Sequence, residues 1–546
     1  MRMTNASSRD RLLLTLFAPG ALAIGFCDVV TAATAASVAA VRILVTLVVA
    51  ARAERELTAL GLADGRSTSL VAGLDLLRRV TLLAILGVTL VLFAVAVVRG
   101  LPPDFLRVVL ILLVVGAVPV ELPDVARAVL AGAAARMSGR GAVVRRLGAV
   151  ETLGRTTTVV AHRTGVLTDD RAVVTAVAAD GLTYETTGAQ SPEGSITAAG
   201  TPVSQGQNAA LDECLRAGAA CNDGVVMDED GPWTVLGDPR DQALLTSAAK
   251  LGICKAPNRV STLPFTRHRR FMATLHRQDD DEPGTIYVKG AVERVLYLCG
   301  QQLDRDGRSR RLDRAQVLAT ARALGRRGLD VLAFAQAQAD PGLGTPAEDA
   351  LPMMTFLGLQ ALHSPLRSDA LDAVAACEKA GLQVKLITGL DATAAAAIAT
   401  WTGIGDRVVT GAMLAGRVPA DLPGLVCDAT VFVDLRPEEE GDLVRAMRSC
   451  GHVVTVVGGG DGAAAARRLA GTGVGTGDGA GVGPRVGAMD GDEAAVVLVS
   501  GGLAALAGAI ADGRAALRRL AGSLVCALVL CSVASAAVGW WFTPPF

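Results

Sequence analysis

The sequence has only five histidines, and none stands in an HExxH pattern. That removes the common zinc-hydrolase arrangement. Its ten cysteines (Cys27, Cys214, Cys221, Cys254, Cys299, Cys377, Cys427, Cys450, Cys526, Cys531) form no CxxC pair and no Cys/His cluster at zinc spacing. Scattered thiols of this kind are expected to be reduced. The net charge is −1, so no global basic field points to nucleic acid as a partner. Lysine is scarce beside arginine, which speaks of a GC-rich genome rather than of function. What is plentiful is apolar: 51% of the residues.

A chain of 546 residues exceeds one core, so two or three domains are expected. A bilayer-spanning helix needs about 20 apolar residues. The runs Leu12–Cys27, Ala33–Val49, Val80–Val98, Phe105–Leu130 and Leu520–Trp541 suit that role, giving five spans. Arg2, Arg9 and Arg11 raise a signal peptide, but no clear cleavage site follows and a second apolar run does. Arg52, Arg55, Arg66, Arg78 and Arg79 share one short loop, which the positive-inside rule places in the cytoplasm. The expectation is a multi-pass cell-membrane protein with its large body cytoplasmic and the lipid bilayer as a partner. Glu121, between Pro119 and Pro123, is an acid at membrane depth and an ion-pathway candidate.

In the body, strand-like runs alternate with helical ones. Strands are expected at Thr157–Ala161, Val384–Thr388, Thr430–Asp434 and Val453–Val457, and helices at Ala370–Ala380 and Glu438–Ser449. The alternation argues for a doubly wound parallel sheet, whose sites lie at the carboxyl ends of strands. His162, Gly389 and Gly458 fall just past such ends. The glycine stretch Gly471-Thr-Gly-Val-Gly-Thr-Gly partly fits a dinucleotide loop but lacks the strand-turn-helix context and the later acid.

The segment from His162 to Thr168, His-Arg-Thr-Gly-Val-Leu-Thr, resembles the Asp-Lys-Thr-Gly-Thr-Leu-Thr phosphorylation segment of P-type ATPases. Cys221-Asn222, Gly237-Asp238-Pro239-Arg240-Asp241-Gln242-Ala243-Leu244, Pro264-Phe265, Arg269-Arg270-Phe271-Met272 and Val288-Lys289-Gly290-Ala291 resemble the family's inserted nucleotide domain. Thr388-Gly389 and Val457–Ala466 are similar to its Thr-Gly-Asp and Thr-Gly-Asp-Gly-x-Asn-Asp segments. Several motifs in the right order make the resemblance specific. It implies a haloacid-dehalogenase-like α/β fold with an inserted α+β domain and transmembrane helices. The implied layout is spans in 1–134, with a short loop 51–77 where the family carries an actuator domain. A phosphorylation-like domain follows in 135–174 and 352–515, a nucleotide-binding-like domain in 175–351, and a last span in 516–546. ATP is the implied ligand, with Asp241, Phe265, Lys289, Gly290, Thr388 and Gly389 as its contacts.

The departures from the pattern share one direction. His162 stands for the nucleophilic Asp and Arg163 for the Lys beside it, with Thr164 kept. Ser364 opens the segment Ser364-Pro365-Leu366-Arg367, where the family has Asp-Pro-Pro-Arg. Leu390 replaces the Asp of Thr-Gly-Asp, and Glu440 the catalytic Lys. Gly459 replaces the Mg²⁺-binding Asp, Gly462-Ala463 replaces Asn-Asp, and Asp461 lies off register. Asp330 stands where an Arg is expected. No Thr-Gly-Glu-Ser occurs for dephosphorylation. Phosphoryl transfer needs a metal bridging phosphate oxygens and cations to offset charge, and Mg²⁺ prefers oxygen ligands. The expectation is no intact catalytic set, no metal site, and a regulatory or nucleotide-sensing pseudoenzyme. Its protein partner, if it has one, is not legible. The alternative is an active cation-transporting pump.

Overall fold

The computed structural model describes residues 69–99, 122–169, 171–227, 233–253, 258–277, 283–340, 346–415, 421–458, 472–476, 496–498 and 502–541, with positions 51, 55 and 417. It is a mixed α/β structure built on one mainly parallel and one mainly antiparallel sheet.

The parallel sheet has eight strands in the order Ala142–Val144, Val496–Leu498, Thr472–Thr476, Val454–Val457, Thr158–His162, Gln383–Thr388, Val431–Val433 and Val408–Thr410. Only the first pair runs antiparallel. Its central strands are near-continuous β-branched runs because both faces are covered. Val159 and Ala161 point into a core shared with helices Gly148–Arg155, Ala370–Lys379 and Ala392–Trp401. Val160, between them, points into a second core with helices Leu422–Asp428 and Pro437–Ser449. The sheet is therefore wound on both faces, and the expected strands and helices fall within about a residue of the observed ones.

The second sheet has eleven strands, nine of them on one continuous path from Thr201–Pro202 to Arg259–Leu263. Its centre is the pair Asp330–Ala339 and Met354–His363, ten residues each. Met354–His363 lies in this sheet, so the chain returns to the parallel sheet through 364–369. Helices Ala209–Ala220 and Pro239–Ala249 cover one face, Val292–Leu298 and Arg314–Gly325 the other. Asn208 caps the first of these by accepting from Leu211 N.

The helix Gly502–Trp541 is continuous over 40 residues. Its first half packs on Gly148–Arg155, where Gly154 meets Gly513: a Cβ on Gly513 would stand 2.8 Å from the Gly154 nitrogen. Arg140 and Arg136 hold Asp512 at 2.8 and 3.7 Å, and Arg514 donates to the carbonyls of Thr156 and Ala380.

Of the expected spans, Leu12–Cys27, Ala33–Val49 and the stretch 105–121 with Glu121 lie outside the described residues. Val80–Val98 falls in helix Ser69–Arg99 and Leu520–Trp541 in Gly502–Trp541. Among the described residues, no helix is long and apolar enough to cross a membrane. On Ser69–Arg99, large apolar side chains from Leu77 to Val98 stand 50 to 87% exposed, Leu83 and Leu90 among them.

One expectation about cysteine is corrected. Cys427 and Cys450 form a disulfide across 23 residues, joining the end of helix Leu422–Asp428 to the C-terminus of Pro437–Ser449. Sequence spacing does not show that these two helix ends meet. Cys214, Cys221, Cys299 and Cys377 are free and buried, and burial pushes the Cys221 thiol up to about 11.

Candidate functional site

A cavity of about 780 Å³ opens between the carboxyl end of the parallel sheet and the antiparallel sheet. His162 enters it from the end of strand Thr158–His162, between the neighbouring strand ends at Ile387 and Val457. Gly458 closes in behind the imidazole, where a Cβ would come within 2.6 Å of the His162 Cβ. Thr388 and Gly389 line the same floor. The antiparallel body contributes Asp241 from helix Pro239–Ala249, Phe265 from the loop after strand Arg259–Leu263, and Lys289 and Gly290 from strand Gly284–Ala291. The structure thus brings His162, Glu440 and all six expected nucleotide contacts to one cavity.

Glu440 sits in the first turn of helix Pro437–Ser449 and is 1% exposed. Its Oε2 lies 3.5 Å from His162 Nε2, an ion pair when the imidazole is protonated. Its Oε1 accepts from Arg267 Nη1 at 3.3 Å, and the same guanidinium donates to the Leu435 carbonyl at 3.0 Å. Arg270 reaches Asp434 at 3.3 Å. Within the antiparallel body, Lys289 Nζ donates to Asp241 Oδ1 at 2.5 Å, while Asp241 Oδ2 accepts from the Asp223 nitrogen. Arg240 pairs with Asp330 at 2.9 Å. Four basic side chains facing the cavity are therefore already neutralised by acids of the same cavity. Phe265 is 56% exposed there, so its ring is open to a stacking partner rather than buried in a core.

Other expected positions go elsewhere. Arg163 is buried, and burial lowers its guanidinium from the ordinary value while Asp330 opposes the shift. It does not line the cavity, so an anion held jointly by His162 and Arg163 is not built here. Thr164 is exposed in the turn after the strand, and Ser364 is half-buried. Leu390 is a core residue, 1% exposed. Gly459, Asp461 and Ala463 lie outside the described residues. Sequence reasoning overlooked Asp391, Arg240, Arg267 and the pairing role of Asp434. Asp391 caps helix Ala392–Trp401 through Thr393 N at 2.7 Å and lines the cavity. Its signal was an Asx cap before an alanine-rich helix.

Comparison with known proteins agrees with this geometry. A model of the P-type ATPase cytoplasmic domain N matches residues 210–369, which include most of the antiparallel sheet. The probable cation-transporting ATPase F of Mycobacterium tuberculosis (strain H37Rv) is 38% identical over 504 residues, covering 86% of this chain and 53% of that protein. The chain belongs to the P-type ATPase family. A further P-type relative, the cation-transporting ATPase pma1 of Synechocystis, is 38% identical over 70% of this chain and 44% of its own. The calcium-transporting ATPase of Bacillus subtilis is 30% identical over 82% and 51%. The chain spans about half the length of these P-type ATPases.

Proposed function

We propose that the chain is a membrane-anchored, catalytically degenerate P-type ATPase that binds a nucleotide in the cavity without turning it over, in a regulatory or sensing role. The observation that carries this reading is the pair His162–Glu440. Where the family resemblance implies a carboxylate nucleophile and a lysine, an imidazole faces a buried carboxylate at 3.5 Å. A γ-phosphate brought to His162 would meet the negative charge of Glu440, and no lysine stands there to offset charge developing on the phosphoryl oxygens.

The same reading takes Mg²⁺ binding to be weak. The nearby acids are engaged: Asp391 in a helix cap, Asp434 with Arg270, Glu440 with Arg267. Phe265 and Lys289 supply an aromatic face and a cation for a nucleotide. The exposed leucines and valines of Ser69–Arg99 support a membrane location, as do the apolar runs of the sequence. The relatives' names favour the rival reading, a working cation-transporting pump.

Titration with trinitrophenyl-ATP tests the proposal. Saturable binding is expected, weakened about tenfold by F265A, the loss of roughly one stacking contact, and lost in K289A. With γ-labelled ATP and Mg²⁺ no acid-stable phosphoprotein should form. A phosphoprotein, or vanadate-sensitive ATP hydrolysis, would establish the pump reading instead.

A further inference from the structure

Two arginines of one short turn cross the cavity. The turn Thr266–Arg270 leads into strand Phe271–His276 of the antiparallel sheet and is closed by Arg270 N donating to the Thr266 carbonyl at 2.8 Å. It is braced from behind: Arg269 and Arg294 both hold Glu348, at 3.0 and 3.1 Å, and Arg294 also donates to the Arg269 carbonyl. From this rigid base Arg267 reaches Leu435 O and Glu440, and Arg270 reaches Asp434. All three targets belong to the segment 434–440, which runs from the end of strand Val431–Val433 of the parallel sheet into the first turn of helix Pro437–Ser449.

Both ends of the second contact hold an unusual backbone. Arg270 has φ 60° and Asp434 φ 56°, left-handed conformations that side-chain-bearing residues seldom adopt. Such conformations persist where surrounding contacts over-determine them, and here the two strained residues are each other's ion-pair partners. Glu440 is the anchor of the first contact. It is almost fully buried, its carboxylate is divided between His162 and Arg267, and a lysine at that position would repel Arg267 instead of holding it.

We propose that Arg267 and Arg270 form a latch that holds the antiparallel body closed against the parallel sheet in the absence of ligand. Opening the cavity then requires both arginines to leave segment 434–440 together. A ligand whose negative charge takes over the guanidinium groups releases the latch, because the same groups cannot satisfy both partners.

The test is hydrogen exchange of the ligand-free full chain in detergent, read on peptides covering 264–271 and 434–441. R267A/R270A changes only part-exposed side chains of the turn, and should raise exchange in 434–441, on the opposite sheet, by fivefold or more. R310A, which breaks the exposed pair with Asp180 in the same antiparallel body, should leave 434–441 unchanged. E440K should open both segments, and R267E/E440K should close them again. Wild-type exchange in 434–441 of R267A/R270A overturns the latch, as does an equal rise in R310A. The measurement uses no nucleotide, so it stands or falls independently of nucleotide binding.

Discussion

His162 and Glu440 meet Nε2 to Oε2 at 3.5 Å, with acid and base transposed from the carboxylate and lysine that the family pattern implies. The site has therefore not merely lost two groups. It has kept an acid–base contact between the end of strand Thr158–His162 and helix Pro437–Ser449, with the base now on the strand and the acid on the helix.

That transposition predicts the result of repairing one side. H162D sets a second carboxylate against the buried acid Glu440. It should form no phosphoprotein from labelled ATP and should destabilise the chain by roughly 2 kcal/mol, seen as a melting midpoint several degrees lower. H162D/E440K should recover most of that midpoint. A phosphoprotein in H162D alone would contradict this account.

The disulfide Cys427–Cys450 closes a segment of 23 residues. By loop-closure entropy it contributes about 3 kcal/mol. Dithiothreitol should lower the melting midpoint of the wild type but not of C427S/C450S. Equal sensitivity of the two proteins would show that the bond is not the source.

Lys385 points to a pH effect. Its ammonium donates to the carbonyls of Val426, Cys427 and Ala429, and burial pushes it down to about 8. Between pH 8 and the ordinary lysine value the unfolded chain binds a proton that the folded chain does not. Stability from this group therefore rises with pH across that window, by at most roughly 3 kcal/mol, and is unaffected below it. Unfolding of wild type and K385M compared from pH 7.5 to about 10 should show the rise in the wild type alone. Parallel pH profiles would refute it.

Much of the parallel sheet was legible because strands buried on both faces read as unbroken β-branched runs, as in Thr157–Ala161. The antiparallel body was not. Its longest strands, Asp330–Ala339 and Met354–His363, are covered by helices on both faces, and only Ala335–Ala339 alternates apolar with polar. At the site, motif comparison located the residues but weighed each against the family one position at a time. Glu440 therefore read as a missing cation. Its partners were hidden by distance along the chain, since Arg267 lies 173 residues away. The carboxylate of Asp391 stands one position past the register of Thr-Gly-Asp, which Leu390 occupies, so the motif does not mark it.

Gly154 and Gly513 give a prediction in the core. An added methyl at 513 would stand 2.8 Å from backbone nitrogen and 2.9 Å from the Gly154 Cα, neither of which can swing aside. G513A should cost about 1–3 kcal/mol and be visible as a lower unfolding temperature. G522A, with open space around it, should cost nothing measurable. Equal effects of the two would remove the packing explanation.

The same contact acts as a fulcrum. Beyond Gly513 the helix runs unbroken to Trp541, about 40 Å at 1.5 Å per residue. A stiff rod pivoted near one end magnifies small tilts, so a few degrees of rocking at the glycine pair becomes a few ångströms at the tryptophan tip. Rearrangement in the α/β body would arrive at that distant end as movement, with no hinge in between to absorb it.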